Sequence, residues 1–126
     1  LAVQEMRDKM RDSLDKSSDS QWDIKQGVGG IVDIEFMVQY LVLEHAAEFP
    51  ALSDYTDNIR IIERAISAGF FGADEGEQLA ESYRQYRKRV HRLKLQDMPA
   101  RGAEPIYTEQ RELVTRLWMR ILTNET

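Results

Sequence analysis

Apolar residues recur along this chain every three or four positions, in five segments that polar or glycine-rich stretches separate. This spacing places the apolar side chains on one face of an α-helix, so each segment predicts an amphipathic helix. The predicted helices cover residues 2–16, 31–49, 57–68, 74–97 and 109–123. We find no segment that alternates apolar and polar residues with a period of two, and we therefore predict no β-strand.

The second segment differs from the others because apolar residues cover most of its circumference. A helix that is apolar on nearly all sides is buried among its neighbours, so we expect this helix to be the central one. Pro50 is expected to end it. The first segment has a single stripe, formed by Val3, Met6, Met10 and Leu14. Helices of this length with short links predict an all-α fold, an antiparallel bundle of about five helices.

Several residues indicate where the helices begin and end. Asp57 is suited to cap the third helix, and Gly69 to close it. Asp74, followed three residues later by Glu77, predicts a capping box at the start of the fourth helix. Trp22 is expected in the core rather than in a stacking platform, as is the tryptophan of the last helix.

Length and composition limit what this chain can be. Its 126 residues fit one domain, and the absence of cysteine excludes disulfides and thiolate zinc sites. The net charge of −5 argues against non-specific nucleic-acid binding. We see no apolar run of about 18 residues, so we expect no membrane partner and a cytoplasmic location. The chain begins at Leu1 inside an amphipathic pattern, which indicates a fragment, residues 1–126, of a larger multidomain enzyme.

The sharpest local feature is a glycine-rich loop that leads directly into the second helix. It reads Lys25-Gln26-Gly27-Val28-Gly29-Gly30-Ile31-Val32-Asp33-Ile34-Glu35-Phe36. Free N–H groups at such a helix start can bind an anion, and Lys25 would add a positive charge. The loop is neither a P-loop nor a dinucleotide fingerprint, because it lacks a Gly-Lys-Ser/Thr ending and a preceding strand. On the residues alone, a structural interpretation is favoured, in which Gly27, Gly29 and Gly30 allow a tight turn and a close approach to a neighbour.

Asp33 and Glu35 stand two positions apart, which is about 200° of rotation on a helix. They therefore point to different sides and cannot jointly chelate one metal ion. Asp33 lies in the first turn, where a carboxylate is favourable for structural reasons alone. A functional role for Asp33 would require a bridging magnesium ion or an arginine partner. For Glu35 we predict a salt bridge to an arginine of the third or fourth helix, because a buried carboxylate must be paired.

Basic residues crowd the second half of the fourth helix. Arg84, Lys88 and Arg92 lie opposite its tyrosine and leucine stripe. Such a run is usually a solvated face. The alternative is a positive surface that contacts phosphate or an acidic partner.

The motif in residues 25–36, with Val38 and Gln39, resembles the one that follows each nucleotidyltransferase domain in the bifunctional glutamine synthetase adenylyltransferase/adenylyl-removing family. Residues 56–63 and 91–96 are similar to later helices of the same domain. The glycine motif alone is shared with uridylyltransferases that act on the PII signalling protein. The residues after Ile34 favour the adenylyltransferase, and the resemblance covers nearly the whole chain.

The resemblance implies the C-terminal helical domain of the adenylylating half, which attaches AMP from ATP to a tyrosine of glutamine synthetase. ATP and Mg²⁺ would be held by acidic residues of an upstream nucleotidyltransferase domain, which have no counterpart here. We therefore expect no catalytic residue, no direct metal ligand, no tightly bound cofactor and no turnover in this chain alone.

The same resemblance implies roles for particular residues of the chain. Lys25, Gly27, Gly29 and Gly30 would approach the ATP phosphates, while Asp33 or Glu35 would orient an arginine or a magnesium-bound water. Implied partners are the upstream domain, glutamine synthetase and a PII-type regulatory protein. An alternative is a binding module that docks glutamine synthetase or a PII-type regulator through residues 84–94, without nucleotide contact.

Overall fold

Five α-helices and one two-stranded sheet make up the computed structural model, which describes residues 2–123. In chain order the elements are α1 (Ala2–Leu14), β1 (Gln21–Asp23), α2 (Ile31–His45), a 3-10 helix (Pro50–Ser53), α3 (Asn58–Ser67), α4 (Ala73–Leu95), β2 (Arg101–Ala103) and α5 (Thr108–Thr123). All five predicted helices are present, and the prediction of an all-α bundle is confirmed. Among the helices that the structure describes, none combines the length and the apolar composition needed to cross a bilayer.

Helix α2 is the centre of the bundle, as its apolar circumference predicted. It contacts each of the other four helices and the 3-10 helix. Its buried residues are Ile31, Asp33, Ile34, Met37, Val38 and Leu41. Each fully buried aliphatic side chain contributes about 1.5–3 kcal/mol, so this helix supplies much of the stabilising burial. Trp22 and Trp118 are also buried, which confirms their assignment to the core.

The end of α2 differs from the prediction. The helix stops at His45, and Ala46 caps it with an N–H that donates to the Val42 carbonyl. Pro50 does not end α2 but begins the 3-10 helix, where its missing N–H costs nothing. Phe49, which precedes it, is not helical (φ −127°, ψ 76°), because the proline ring disfavours helical geometry at that position.

The apolar stripe predicted for α1 is partly wrong. Met6 is 59% exposed and Leu14 is 45% exposed, whereas Arg7 is completely buried. Val3, Arg7 and Met10 are spaced by four and three residues and lie on the inner side of the helix, so Arg7 takes the inward position assigned to Met6. A charged residue occupies the inner face of this helix because its partner lies across the interface, as described below.

The helix starts confirm one predicted cap and correct another. Asp57 caps α3 by accepting the Arg60 N–H at 3.0 Å. Gly69 follows α3 with a φ of 91°, the left-handed conformation that glycine adopts without strain. The capping box predicted at Asp74 is wrong, because the N-cap of α4 is Gly72, two residues earlier, and Glu75 accepts the Gly72 N–H at 2.9 Å.

The two strands contradict the prediction that the chain has none. Strands β1 and β2 pair antiparallel, with Trp22 opposite Gly102 and Asp23 opposite Arg101. Each strand has only three residues, too few to show a period of two. The pairing joins the turn after α1 to the loop after α4 and anchors the start of the glycine-rich loop.

Candidate functional site

The glycine-rich loop begins at a buried carboxylate, Asp23, which is 5% exposed. Its Oδ1 accepts the N–H groups of Lys25 at 3.0 Å and Gln26 at 2.9 Å, and its Oδ2 accepts the Lys16 N–H at 2.9 Å. A carboxylate that bonds to backbone two and three residues ahead forms an Asx turn. Asp23 therefore holds the backbone of Lys16 and Lys25 in place.

The glycine N–H groups of the loop have acceptors inside the domain. The Gly27 N–H donates to the Asp23 carbonyl at 2.8 Å, and the Gly30 N–H donates to the Gly27 carbonyl at 3.0 Å. The Gly29 N–H donates to the Asp33 carboxylate at 2.8 Å. An anion that bound these amides would have to displace these bonds. Nucleotide binding by the glycines stays a prediction.

Close packing explains why glycines stand at these positions. A Cβ atom at Gly30 would lie 2.4 Å from the Ile24 carbonyl oxygen, and one at Gly27 would lie 2.4 Å from the indole nitrogen of Trp22. Gly29 has a φ of 81°, which side-chain-bearing residues rarely adopt. The structural interpretation of these glycines, a tight turn with a close approach, is confirmed.

An ion-pair cluster ties the loop to α1 and α2. The Asp33 Oδ1 accepts hydrogen bonds from Arg7 Nε at 2.7 Å and Arg11 Nη2 at 2.5 Å, while its Oδ2 accepts the Gly29 N–H. Arg7 also donates to the side chain and the carbonyl of Gln26, at 3.1 and 2.9 Å. Buried charges persist only when paired and hydrogen-bonded. Asp33 thus has the arginine partner that its functional interpretation allowed, and α1 supplies it.

Glu35 has a different partner from the predicted arginine. The Tyr83 hydroxyl donates to Glu35 Oε2 at 2.9 Å and accepts from Asn58 Nδ2 at 3.0 Å. Arg87 Nη1 reaches the same hydroxyl at 3.4 Å. Burial, together with the hydrogen bond to Glu35, raises the pKa of the Tyr83 phenol. The salt-bridge prediction is wrong: the Tyr83 hydroxyl donates to the Glu35 carboxylate, and Arg87 contacts that hydroxyl instead of the carboxylate.

The predicted basic face on α4 is exposed at Arg84, Lys88 and Arg92. Arg84 forms ion pairs within its own helix, at 3.3 Å to Glu81 and 3.9 Å to Glu77. Arg84 is therefore ion-paired, whereas Lys88 and Arg92 form no ion pair within residues 2–123. A role for this face in partner binding stays a prediction.

Arg111 of α5, which the sequence analysis did not single out, packs against Trp22 at the start of the glycine-rich loop. Its guanidinium lies 4.4 Å from the centre of the Trp22 ring and donates to both oxygens of Glu104, at 2.7 and 3.1 Å. Hydrogen bonding to Arg111 lowers the pKa of the Glu104 carboxyl. The Trp22 indole N–H donates to the Val28 carbonyl at 3.2 Å. No local pattern marks Arg111, because its partners come from the strand and loop regions.

The loop carboxylates accept hydrogen bonds from protein groups rather than converging on one point. Asp23 is held by backbone amides, Asp33 by arginines and Glu35 by a tyrosine. Within residues 2–123, no group of three or more histidine, cysteine or acidic side chains is arranged to hold a metal ion. A magnesium-linked role for Asp33 or Glu35 stays a prediction.

Fold and site together define a helical module that holds a closely packed, hydrogen-bonded glycine-rich loop against its central helix. The family model described as GlnD PII-uridylyltransferase matches residues 2–120, and the chain belongs to this family. A more specific similarity comes from individual relatives, which are adenylyltransferases.

The chain is 46% identical, over 124 residues, to the bifunctional glutamine synthetase adenylyltransferase/adenylyl-removing enzyme of Nitrosococcus oceani. It is 44% identical, over 120 residues, to the enzyme of that name from Thioalkalivibrio sulfidiphilus. These alignments cover 98% and 95% of this chain but only 13% and 12% of the two relatives. The resemblance predicted from residues 25–36 is confirmed, and the chain spans about one eighth of the length of these relatives.

Proposed function

We propose that this chain is the helical domain of a glutamine synthetase adenylyltransferase and works beside a nucleotidyltransferase domain of the same polypeptide. In the whole cytoplasmic enzyme, AMP would pass from ATP to a tyrosine of glutamine synthetase. The names of the relatives, and the small share of their length that the chain covers, support this proposal. A PII-type protein would be a regulatory partner.

The observation that carries the proposal is that Asp23 and Asp33 accept hydrogen bonds from groups of this domain. Nucleotidyl transfer needs acidic residues that hold metal ions against the phosphates. Here Asp23 accepts three backbone N–H groups, and Asp33 accepts two arginines and one amide. These hydrogen bonds give both carboxylates a role in holding the loop, which supports the proposal that the metal-binding acids lie in another domain. We infer that magnesium and ATP are held by the other domain, and that this chain alone has no turnover.

Within the whole enzyme, this chain would supply a rigid wall and positive potential beside the nucleotide. Lys25 is exposed, and Asp23 anchors its backbone. Its ammonium group would therefore approach the ATP phosphates from a fixed point. The three loop glycines would contribute shape, because their amides already have acceptors.

The test is AMP transfer from labelled ATP to glutamine synthetase by the whole enzyme, comparing Lys25→Gln with Lys9→Gln. Lys9 is an exposed lysine of α1, so its substitution makes the same charge change away from the loop. We expect Lys25→Gln to lower kcat/KM for ATP about tenfold, the effect of one lost charge-assisted hydrogen bond. Equal kinetics for the two variants would refute the assignment of Lys25. Magnesium-dependent AMP transfer by this chain alone would refute the accessory role.

A second candidate function is protein docking through α4. Lys88 and Arg92 are exposed, and neither forms an ion pair within residues 2–123. Charge reversal at both positions would then weaken binding to glutamine synthetase or to a PII-type regulator and reduce its salt dependence. The KM for ATP would stay unchanged. Unaltered partner binding by this double variant would exclude docking through α4.

A further inference from the structure

A groove of about 510 Å³ runs between the tip of the glycine-rich loop and the outer side of α5. Val28 at the loop tip and Met119 of α5 line it, and they are 48% and 52% exposed. Pro105, which is also exposed, adds further apolar surface, whereas Lys25 does not line the groove. The groove is therefore largely apolar although it is open to solvent.

Backbone contacts hold the loop tip beside this groove. The Val28 carbonyl accepts the indole N–H of Trp22 at 3.2 Å. The next residue, Gly29, packs so closely on α5 that a Cβ atom there would lie 2.8 Å from the Arg111 carbonyl oxygen. Single exposed apolar side chains are common on protein surfaces, but loop tips are usually polar, and here two such side chains line one groove. Burial within this domain does not account for the valine at this tip.

The charged residues that line the groove cancel one another. Glu104 and Arg111 form an ion pair at 2.7 Å, and Glu112 and Arg116 add one charge of each sign. A groove without net charge has no electrostatic preference for an anionic ligand. Apolar surface together with balanced charges is instead the composition of a contact between proteins, in which methionine is enriched.

We propose that this groove docks the neighbouring domain of the same polypeptide, with apolar side chains of that domain packed against Val28 and Met119. The inference rests on the proposed function, which places a nucleotidyltransferase domain beside this one. In the two relatives, the matched region is only 13% and 12% of the whole enzyme, so most of their length lies outside it.

A covalent link explains how so small a surface is covered. Separate proteins form stable complexes when about 1,200–2,000 Å² is buried in total, and two half-exposed apolar side chains supply only a small part of that area. A tethered domain has an effective concentration in the millimolar range, so it docks on a smaller and more polar surface. The groove therefore suits a tethered domain better than a second copy of this chain or a separate protein.

The experiment measures maleimide labelling of single cysteines introduced into the whole enzyme, read by peptide mass spectrometry. This chain has no cysteine of its own, so each introduced thiol is the only one in these 126 residues. Val28→Cys and Thr108→Cys place a thiol in the groove, whereas Leu95→Cys and Lys9→Cys place one at exposed positions that do not line it. Each labelling rate is divided by that of the same variant in denaturant. We expect the groove thiols to label about tenfold more slowly than the controls, because a docked domain excludes the reagent until it opens.

A second variant tests whether the loop tip belongs to the contact. Val28→Asp would place a charge against the docked apolar surface, which is unfavourable. Combined with Thr108→Cys, it should restore labelling to within a few fold of the control rate, whereas Leu95→Asp in the same background should not. Far-ultraviolet circular dichroism checks that each variant is folded.

Equal labelling at all four positions, or protection of Thr108→Cys that survives Val28→Asp, would overturn the proposal. Protection that rises with enzyme concentration would assign the groove to a second copy, and protection that requires added glutamine synthetase would assign it to that protein. Either result also overturns docking within one polypeptide.

The docking surface and the proposed function fail separately. If the groove labels freely and this chain alone shows no AMP transfer, the docking surface is wrong and the accessory role stands. If the groove is protected in the whole enzyme but this chain alone transfers AMP, the docking surface stands and the accessory role is wrong.

Discussion

The Arg7 side chain offers the sharpest test of how this domain is held together. It is fully buried, and its Nε donates to Asp33 at 2.7 Å. Its terminal nitrogens donate to Gln26 at 3.1 and 2.9 Å. Substitution by methionine keeps much of the length and apolar contact of the side chain but removes the charge and all these hydrogen bonds. Asp33 would then remain buried, with Arg11 as its remaining cation.

The expected loss in the free energy of unfolding depends on how well the buried Asp33 carboxylate remains paired. Removing one partner of a buried ion pair costs about 3–5 kcal/mol, because the other charge stays buried without compensation. Arg11 still contacts the Asp33 carboxylate, so we expect Arg7→Met to cost about 3 kcal/mol, at the lower end of this range. Arg11→Met should cost about 1–2 kcal/mol, because Arg11 is 19% exposed and Arg7 remains in place.

The assay is equilibrium unfolding in urea, followed by far-ultraviolet circular dichroism. With a slope of about 1.5 kcal/mol per molar, Arg7→Met should lower the unfolding midpoint by about 2 M. Lys9→Met, on the exposed side of the same helix, should change the free energy of unfolding by less than about 0.5 kcal/mol. If Arg7→Met lowers the midpoint no more than Arg11→Met does, the buried pair is not what fixes α1 to the loop.

Three further predictions concern the loop, one surface ion pair and one buried hydroxyl. Gly30→Ala should destabilise the domain by about 1–3 kcal/mol in urea unfolding, because a Cβ there would lie 2.4 Å from a backbone oxygen. Gly72→Ala, whose Cβ would have no neighbour closer than 3.7 Å, should cost about 1 kcal/mol or less, and equal losses would contradict this account. A hydrogen bond from Arg120 lowers the pKa of Glu75, so this pair stabilises the fold above the ordinary glutamate pKa of about 4.3, and the contribution is lost as the pH falls through the lowered pKa. The difference between wild type and Arg120→Met should therefore be at most about 1 kcal/mol at neutral pH and should shrink in acid, where only the hydrogen bond from Arg120 to the Phe70 carbonyl remains. A difference that did not change with pH would exclude the ion pair as a contributor. Tyr83→Phe should cost about 1 kcal/mol, because its hydroxyl donates to one carboxylate and accepts from one amide, and an unchanged thermal midpoint would show that these bonds add nothing.

Local patterns were enough to predict the helices of this domain. The period of apolar residues marked all five, and the apolar circumference of α2 identified the central helix. The motif in residues 25–36 was enough to identify the family. Both kinds of signal are carried by residues close together in sequence, since a helix and a tight turn are each set by neighbours within a few positions.

The site depended on contacts that sequence spacing does not encode. The partner of Asp33 lies in α1, the partner of Glu35 lies in α4, and Arg101 pairs with Asp23 through a three-residue strand. A buried arginine and a short strand each become favourable only when distant segments supply hydrogen-bond partners. The sequence by itself determined the helices and the family, and the tertiary structure decided which charges are paired and which remain available.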